Sequence, residues 1–159
     1  MYKAQFRGLM LWAGFSMHEK THLVKCNMKM DSSKYLEMLD GVLIPFTDEI
    51  MDGDFIFQQD NAAIHISRLS KTWFENKDIE LLDWPSLSPD LNPMENLWGI
   101  LARKVYANGQ QYSSVDELYV AVCNAWNEIP STVLENLINS MPDRVYELIK
   151  LRGKQLKKY

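Results

Sequence analysis

Two acidic residues open a chemical reading of this chain: Asp60, which follows the apolar run Phe55–Gln59, and Glu95, which follows the proline-rich stretch Asp83–Pro93. Hard divalent cations take oxygen ligands and bind through a few carboxylates, completed by water and substrate phosphates. Two such ions about 4 Å apart activate a water and stabilise the departing oxygen of a phosphodiester. Metals, positioning and electrostatics then supply the catalysis, and no nucleophilic side chain is required. Each residue alone also has a local reading. An aspartate after a strand serves as a turn residue that accepts backbone hydrogen bonds. A glutamate at the third position of a helix reaches back to the cap residue and complements the helix dipole.

The elements that must position these side chains can be read in order. Gly8–Phe15 and Thr21–Cys26 read as an antiparallel hairpin, with His18–Lys20 as its polar turn. A helix follows Asp31 or Ser32 with Tyr35, Leu36, Leu39, Val42 and Leu43 on one face, and Pro45 is expected to end or kink it. Phe55–Gln59 reads as a short buried strand that presents Asp60 at its C-terminal end. Ser67 caps a helix that carries Leu69, Trp73 and Phe74 inward, and Ile79–Leu82 is a further strand. Asn92 as cap, Pro93 at the first helical position and Glu95 at the third start a helix that continues through Leu97, Trp98, Leu101 and Val105. The capping box Ser114–Glu117 opens another, bearing Val115, Leu118, Val122, Trp126 and Ile129. Helices over Ser131–Asn139 and roughly Pro142–Arg152 follow, the latter stopped by Gly153. Strands first, alternation with helices, and an all-helical end predict a mixed α/β sheet with a helical C-terminal layer.

Composition bounds the function classes. The 159 residues suffice for one domain, and 47% hydrophobic with 11% aromatic content fits a folded protein rather than a disordered one. No apolar run approaches bilayer length, and the N-terminus shows no secretory pattern. Cys26 and Cys123 lack metal-ligand spacing and read as reduced, buried thiols of an intracellular protein. A net charge of −4 argues against binding DNA by bulk electrostatics. The basic end (Arg144, Lys150, Arg152, Lys154, Lys157 and Lys158) reads as a solvated tail, with phosphate contact as the alternative.

The segments FQQDNAAIHIS and WPSLSPDLNPMENLWGIL make the reading specific. Together they resemble the catalytic core of mariner-superfamily transposases, cut-and-paste DNA transposases with an Asp–Asp–Glu triad. Thirty-four residues, 61–94, separate Asp60 from Glu95, the spacing of that triad's second and third members. LMLWAGFS and SMPDRVYELIKLRGKQLKKY extend the resemblance over nearly the whole chain. It implies a ribonuclease-H-like fold, with Asp60 and Glu95 as catalytic residues that hold Mg²⁺ or Mn²⁺. In that fold the first catalytic aspartate lies on a central first strand, whereas the opening GLMLWAGFS corresponds to a later one. Residues 1–159 are therefore expected to be part of a DDE catalytic domain. The first strand, its aspartate and a helix-turn-helix DNA-binding region are expected upstream of Met1. Asp31, Asp40, Asp48, Asp52 and Asp54 offer no substitute: Asp54, on the same extended run, would lie about 20 Å from Asp60. Catalysis by this chain alone is not expected.

The resemblance also implies the wider role: a nuclear protein, dimeric when whole, that binds transposon ends and target DNA. The alternative is a non-catalytic, transposon-derived remnant or a module that binds nucleic acid or protein. Asn61 and His65 match the motif as supporting residues; His65 either approaches the scissile phosphate or orients a ligand, or is a helix-start histidine with an ordinary hydrogen bond. Ala63 stands where the family commonly has proline, a departure expected to loosen the turn. Asp90 is read as fixing the Ser88–Asn92 turn rather than as a ligand. Trp98 and Trp126 read as core, and Trp84 keeps a reading as a DNA contact.

Overall fold

The computed structural model describes residues 6, 8–26, 29–85, 88–154 and 156. In chain order its elements are β1 (Met10–Trp12), β2 (Val24–Cys26), α1 (Ser32–Met51), β3 (Ile56–Phe57), α2 (Arg68–Asn76) and β4 (Glu80–Leu81). Then come α3 (Pro93–Val105), α4 (Val115–Asn127), α5 (Ser131–Asn139) and α6 (Met141–Lys150). Two short 3₁₀ turns, Pro89–Leu91 and Ala107–Gly109, flank α3. The described strands form two separate pairs, β1 with β2 and β3 with β4. The chain divides into two units, one of residues 26–87 and one of residues 2–25 with 88–159.

In the first unit, Asp31 caps α1 by accepting the Lys34 amide at 2.9 Å. The expected apolar face is present, with Tyr35, Leu36, Leu39 and Leu43 buried. Pro45 neither ends the helix nor is buried; α1 runs on to Met51. An exposed proline leaves the carbonyl one turn earlier facing water, so the lost hydrogen bond is tolerated there. The helix stops at Asp52, whose left-handed backbone (φ 48°) breaks the repeat. β3 and β4 pair in parallel, Ile56 opposite Glu80 and Phe57 opposite Leu81, and α2 makes the crossover that parallel strands need. The strand before Asp60 is not buried as expected: Ile56 is 56% exposed. Phe57 is partly buried and stacks on Phe74 of α2 at 5.8 Å. Ser67 caps α2 as expected, accepting the Ser70 amide. Leu69, expected inward, is 53% exposed, and the buried face is instead Ser70 and Phe74. Ser70 is accommodated because its hydroxyl donates to Ile64 O at 2.6 Å.

In the second unit, β1 and β2 pair as the expected hairpin; Thr21 N donates to Gly14 O, and Phe15 and Lys20 form an antiparallel bridge. The core lies between this hairpin and the helices: Leu11, Leu97, Leu101, Val122, Trp126 and Leu134 are at most 1% exposed. Trp98 and Trp126 stack at 5.8 Å, which places both in the core, as their spacing predicts. Trp126 also ties helix to hairpin, its indole N–H donating to Thr21 O at 2.9 Å. Val115, expected on the inner face of α4, is 41% exposed, as befits the first residue after the Ser114 cap.

The basic end requires a correction. Arg144 is 1% exposed, because α6 turns it inward where Ser140 Oγ, Asp90 O and Asn96 Oδ1 accept from its guanidinium. Lys150, Arg152 and Lys154 are exposed, while Lys157 and Lys158 lie outside the described residues. Cys26 is buried, with its thiol pushed up to about 11 by desolvation, but Cys123 is only partly buried. Among the described residues no helix is long and apolar enough to cross a membrane.

Trp126→Ala is expected to lower unfolding free energy by about 3–5 kcal/mol through loss of packing and cavity formation. Trp126→Phe, which keeps a ring but strands the Thr21 carbonyl, should cost about 1–3 kcal/mol. Urea unfolding followed by circular dichroism measures both, and a Trp126→Phe variant as stable as the wild type would show that the hydrogen bond contributes nothing.

Candidate metal centre

The segment Gln58–Ser67 is organised by its own polar side chains. Asp60 Oδ1 accepts the Ala62 amide at 3.0 Å, an Asx turn, so the local reading of this aspartate is realised. The same oxygen accepts a second hydrogen bond, from His65 Nδ1 at 2.6 Å. The His65 Nδ1 also lies 3.2 Å from the Asp60 carbonyl. The His65 hydrogen bond, with the Ala62 amide adding to it against the cost of burial, holds the Asp60 carboxyl well below the usual carboxylate range. Asp60 is thus an anion at neutral pH, with His65 and the Ala62 amide both donating to its Oδ1.

His65 is itself fixed. It is 4% exposed, and its ring lies 4.5 Å from that of Tyr35 on α1. Tyr35 donates to Gln59 Oε1 at 2.6 Å, and Gln59 Nε2 reaches His65 O at 3.5 Å. Burial, and secondarily the charge of Asp60, keeps the Tyr35 hydroxyl protonated far above its ordinary range. With Nδ1 turned to Asp60, the ring's other nitrogen, Nε2, is buried without a partner among the described residues. The turn closes despite Ala63, through His65 N donating to Ala62 O at 2.8 Å, so the missing proline does not open it. Asn61, the other expected supporting residue, points its amide elsewhere, donating to Trp84 O at 2.9 Å. Trp84 thereby acquires a structural role through its backbone.

Glu95 stands in the first turn of α3. Asn92 caps that helix by accepting the Met94 amide at 3.0 Å, and Pro93 occupies the first position, as the motif predicts. The backbone N–H of Asn92 donates to Pro89 O at 3.1 Å. The group that a capping glutamate would satisfy is therefore already satisfied. Glu95 makes no side-chain hydrogen bond and no ion pair among the described residues. Burial without a partner pushes its carboxyl up to about 7. The capping reading of Glu95 fails on this geometry, and a partly buried carboxyl with no assigned partner remains.

Asp60 belongs to the unit of residues 26–87 and Glu95 to the other. Among the described residues no group of three His, Cys, Asp or Glu side chains is arranged to hold a metal. Each carboxyl taken by itself has chemistry that suits a hard divalent cation: Asp60 is held ionised, and Glu95 is desolvated, so that a cation would return it to its charged form. Asp90 is structural, as expected: its Oδ2 accepts the Leu156 amide at 2.7 Å. Sequence reasoning missed Tyr35 and Gln59 as supports of His65. Tyr35 carries only the signal of a helix core position, whereas Gln59 stands in the motif itself.

Comparison with known proteins identifies the family and the fold. The profile of the family described as DDE superfamily endonuclease matches residues 3–119. The Tc3 transposase of Caenorhabditis elegans is 43% identical over 145 residues, covering 91% of this chain and 44% of that protein. The Mos1 transposase catalytic domain, solved with Raltegravir and Mg, superposes with a TM-score of 0.84 at 18% identity, over 94% of this chain and 77% of that one. A Mos1 paired-end complex with the left transposon end gives a TM-score of 0.82 at 19% identity, over 94% of this chain and 45% of that one. The chain belongs to the DDE superfamily endonuclease family, and its fold is the ribonuclease-H-like fold of the Mos1 catalytic domain. The mariner-type resemblance in its motifs is borne out by relatives among transposable-element transposases, of whose length the chain spans about half.

A carboxyl whose pKa is higher folded than unfolded binds its proton more tightly in the folded state. For Glu95 that contribution is complete below its ordinary value of 4.5 and is lost as pH rises through about 7. In metal-free protein, urea midpoints measured from about pH 5 to about pH 8 should therefore fall more for the wild type than for Glu95→Gln, which cannot ionise. Parallel profiles would show that Glu95 is fully hydrated.

Proposed function

We propose that this chain is part of the catalytic domain of a cut-and-paste DNA transposase, and that Asp60 and Glu95 hold the Mg²⁺ or Mn²⁺ of its phosphodiester chemistry. The observation that carries the reading is the state of the two carboxyls: Asp60 fixed and ionised by His65, Glu95 sheltered from water without a partner. Both lie within the stretch that matches the family profile. A divalent ion bound there supplies Lewis-acid activation of a water and stabilisation of a departing 3′ oxygen. The protein's contribution is placement. The Asx turn and the His65 hydrogen bond aim Asp60, and the Asn92–Pro93 helix start aims Glu95. His65 acts here as the residue that orients a ligand, and Asn61 as one that ties the Asp60 segment to Trp84.

Under this reading the third carboxylate of the triad comes from a segment preceding these residues, as does the DNA-binding helix-turn-helix. The whole protein works in the nucleus as a dimer, on transposon ends and target DNA. Support comes from the relatives: the Mos1 structures include complexes with Mg, with Mn and with the left transposon end. The non-catalytic alternative has no observation in its favour.

Mn²⁺ titration followed by electron paramagnetic resonance tests the assignment directly. Asp60→Ala and Glu95→Ala should each weaken binding by at least about tenfold. Glu37→Ala, an exposed carboxylate on α1, should leave it unchanged. Equal effects of all three would place the ion elsewhere.

A further inference from the structure

The helix start that presents Glu95 is gripped from the far end of the chain. Arg144 on α6 donates from Nη1 to Asp90 O at 3.0 Å and to Asn96 Oδ1 at 2.7 Å, while its Nε donates to Ser140 Oγ at 2.9 Å. Leu156 N donates to the Asp90 carboxylate at 2.7 Å, and the Leu156 side chain is 3% exposed. One arginine thus holds the 3₁₀ turn before α3 by its backbone and the residue directly after Glu95 by its side chain. The C-terminal segment holds the same turn by the Asp90 carboxylate. These contacts span residues 140–156, whereas the stretch matched by the family profile ends at residue 119.

We propose that Arg144, together with Asp90, is a positioning clamp that fixes the backbone from residue 90 to residue 96 and so sets where the Glu95 carboxylate stands. The clamp touches no reacting atom and acts only through Glu95; its functional meaning rests on the metal-binding reading above. Burying a guanidinium is costly unless its donors are used, and Arg144 spends them on the two sides of Glu95. Both bonds that flank Glu95 leave one nitrogen, Nη1, and the planar guanidinium fixes where that nitrogen stands because its Nε is tied to Ser140 Oγ, a second anchor that a single ammonium lacks. The other polar atoms nearby are accounted for: Ser140 Oγ donates onward to Leu137 O at 2.6 Å, and Asn92 is engaged as the helix cap.

The test compares the wild-type chain with Asp90→Ala, Arg144→Lys and Arg144→Met. Two measurements are made: Mn²⁺ affinity by electron paramagnetic resonance, and amide hydrogen exchange resolved by peptide mass spectrometry. Asp90 is only partly buried, so Asp90→Ala keeps the test alive even if Arg144→Met fails to fold. The proposal predicts faster exchange confined to residues 88–97, with α4 amides unchanged, in both Asp90→Ala and Arg144→Met. Mn²⁺ affinity should fall by about tenfold or more, and Arg144→Lys should recover part of that loss. Unchanged exchange at 88–97, or exchange raised uniformly through α3 and α4, would overturn the clamp and leave Arg144 a general stabilising residue. Unchanged Mn²⁺ affinity despite faster local exchange would overturn the link to Glu95. If the wild-type chain takes up no Mn²⁺, the metal reading itself fails, and the exchange pattern alone decides the clamp.

Discussion

A carboxyl group partly withdrawn from water, with no hydrogen-bond donor engaging it, loses more in solvation than a helix dipole restores. Glu95 is such a group, and much of its unit is arranged so that it stays one. Asn92 takes its first-turn hydrogen bond from Met94, and its own N–H is satisfied by Pro89, so neither draws on the Glu95 side chain. Pro93 is buried and sets the backbone at the first helical position, and Leu97 and Trp98 anchor the next turn in the core. The glutamate is left with a fixed origin and an uncommitted charge. Such a group costs stability in the absence of a cation and binds one readily when it arrives.

Asp60 meets the complementary requirement by the opposite means. Its charge is stabilised before any cation binds, first by the His65 hydrogen bond and further by the Ala62 amide. Tyr35 and Gln59 hold the histidine in turn, so the orientation of one oxygen is traceable to a residue on α1. Buried networks of this kind confer orientation because each member has its partner.

Much of this was legible in residue types. Asp31, Ser67, Asn92 and Ser114 cap the helices they were expected to cap, because short polar side chains at helix starts report local chemistry. Readings failed where tertiary surroundings decide. Pro45 passes through α1 because that face meets water, and Leu69 faces outward because Ser70 and Phe74 take the inner positions. Arg144 looked like one of several tail cations; its burial depends on Asp90 and Asn96, about fifty residues earlier, which no local pattern reports. Glu95 was ambiguous between capping and metal binding until the partner of the Asn92 amide was seen.

The central claim is that Asp60 and Glu95 serve one divalent-ion site. Anomalous diffraction at the manganese edge, from crystals of the protein grown with Mn²⁺, tests it most directly. The account predicts anomalous density within coordination distance, about 2.1 Å, of a carboxylate oxygen from each residue. Manganese bound by only one of them, or by the acidic surface around Asp54 and Glu80 instead, would contradict it.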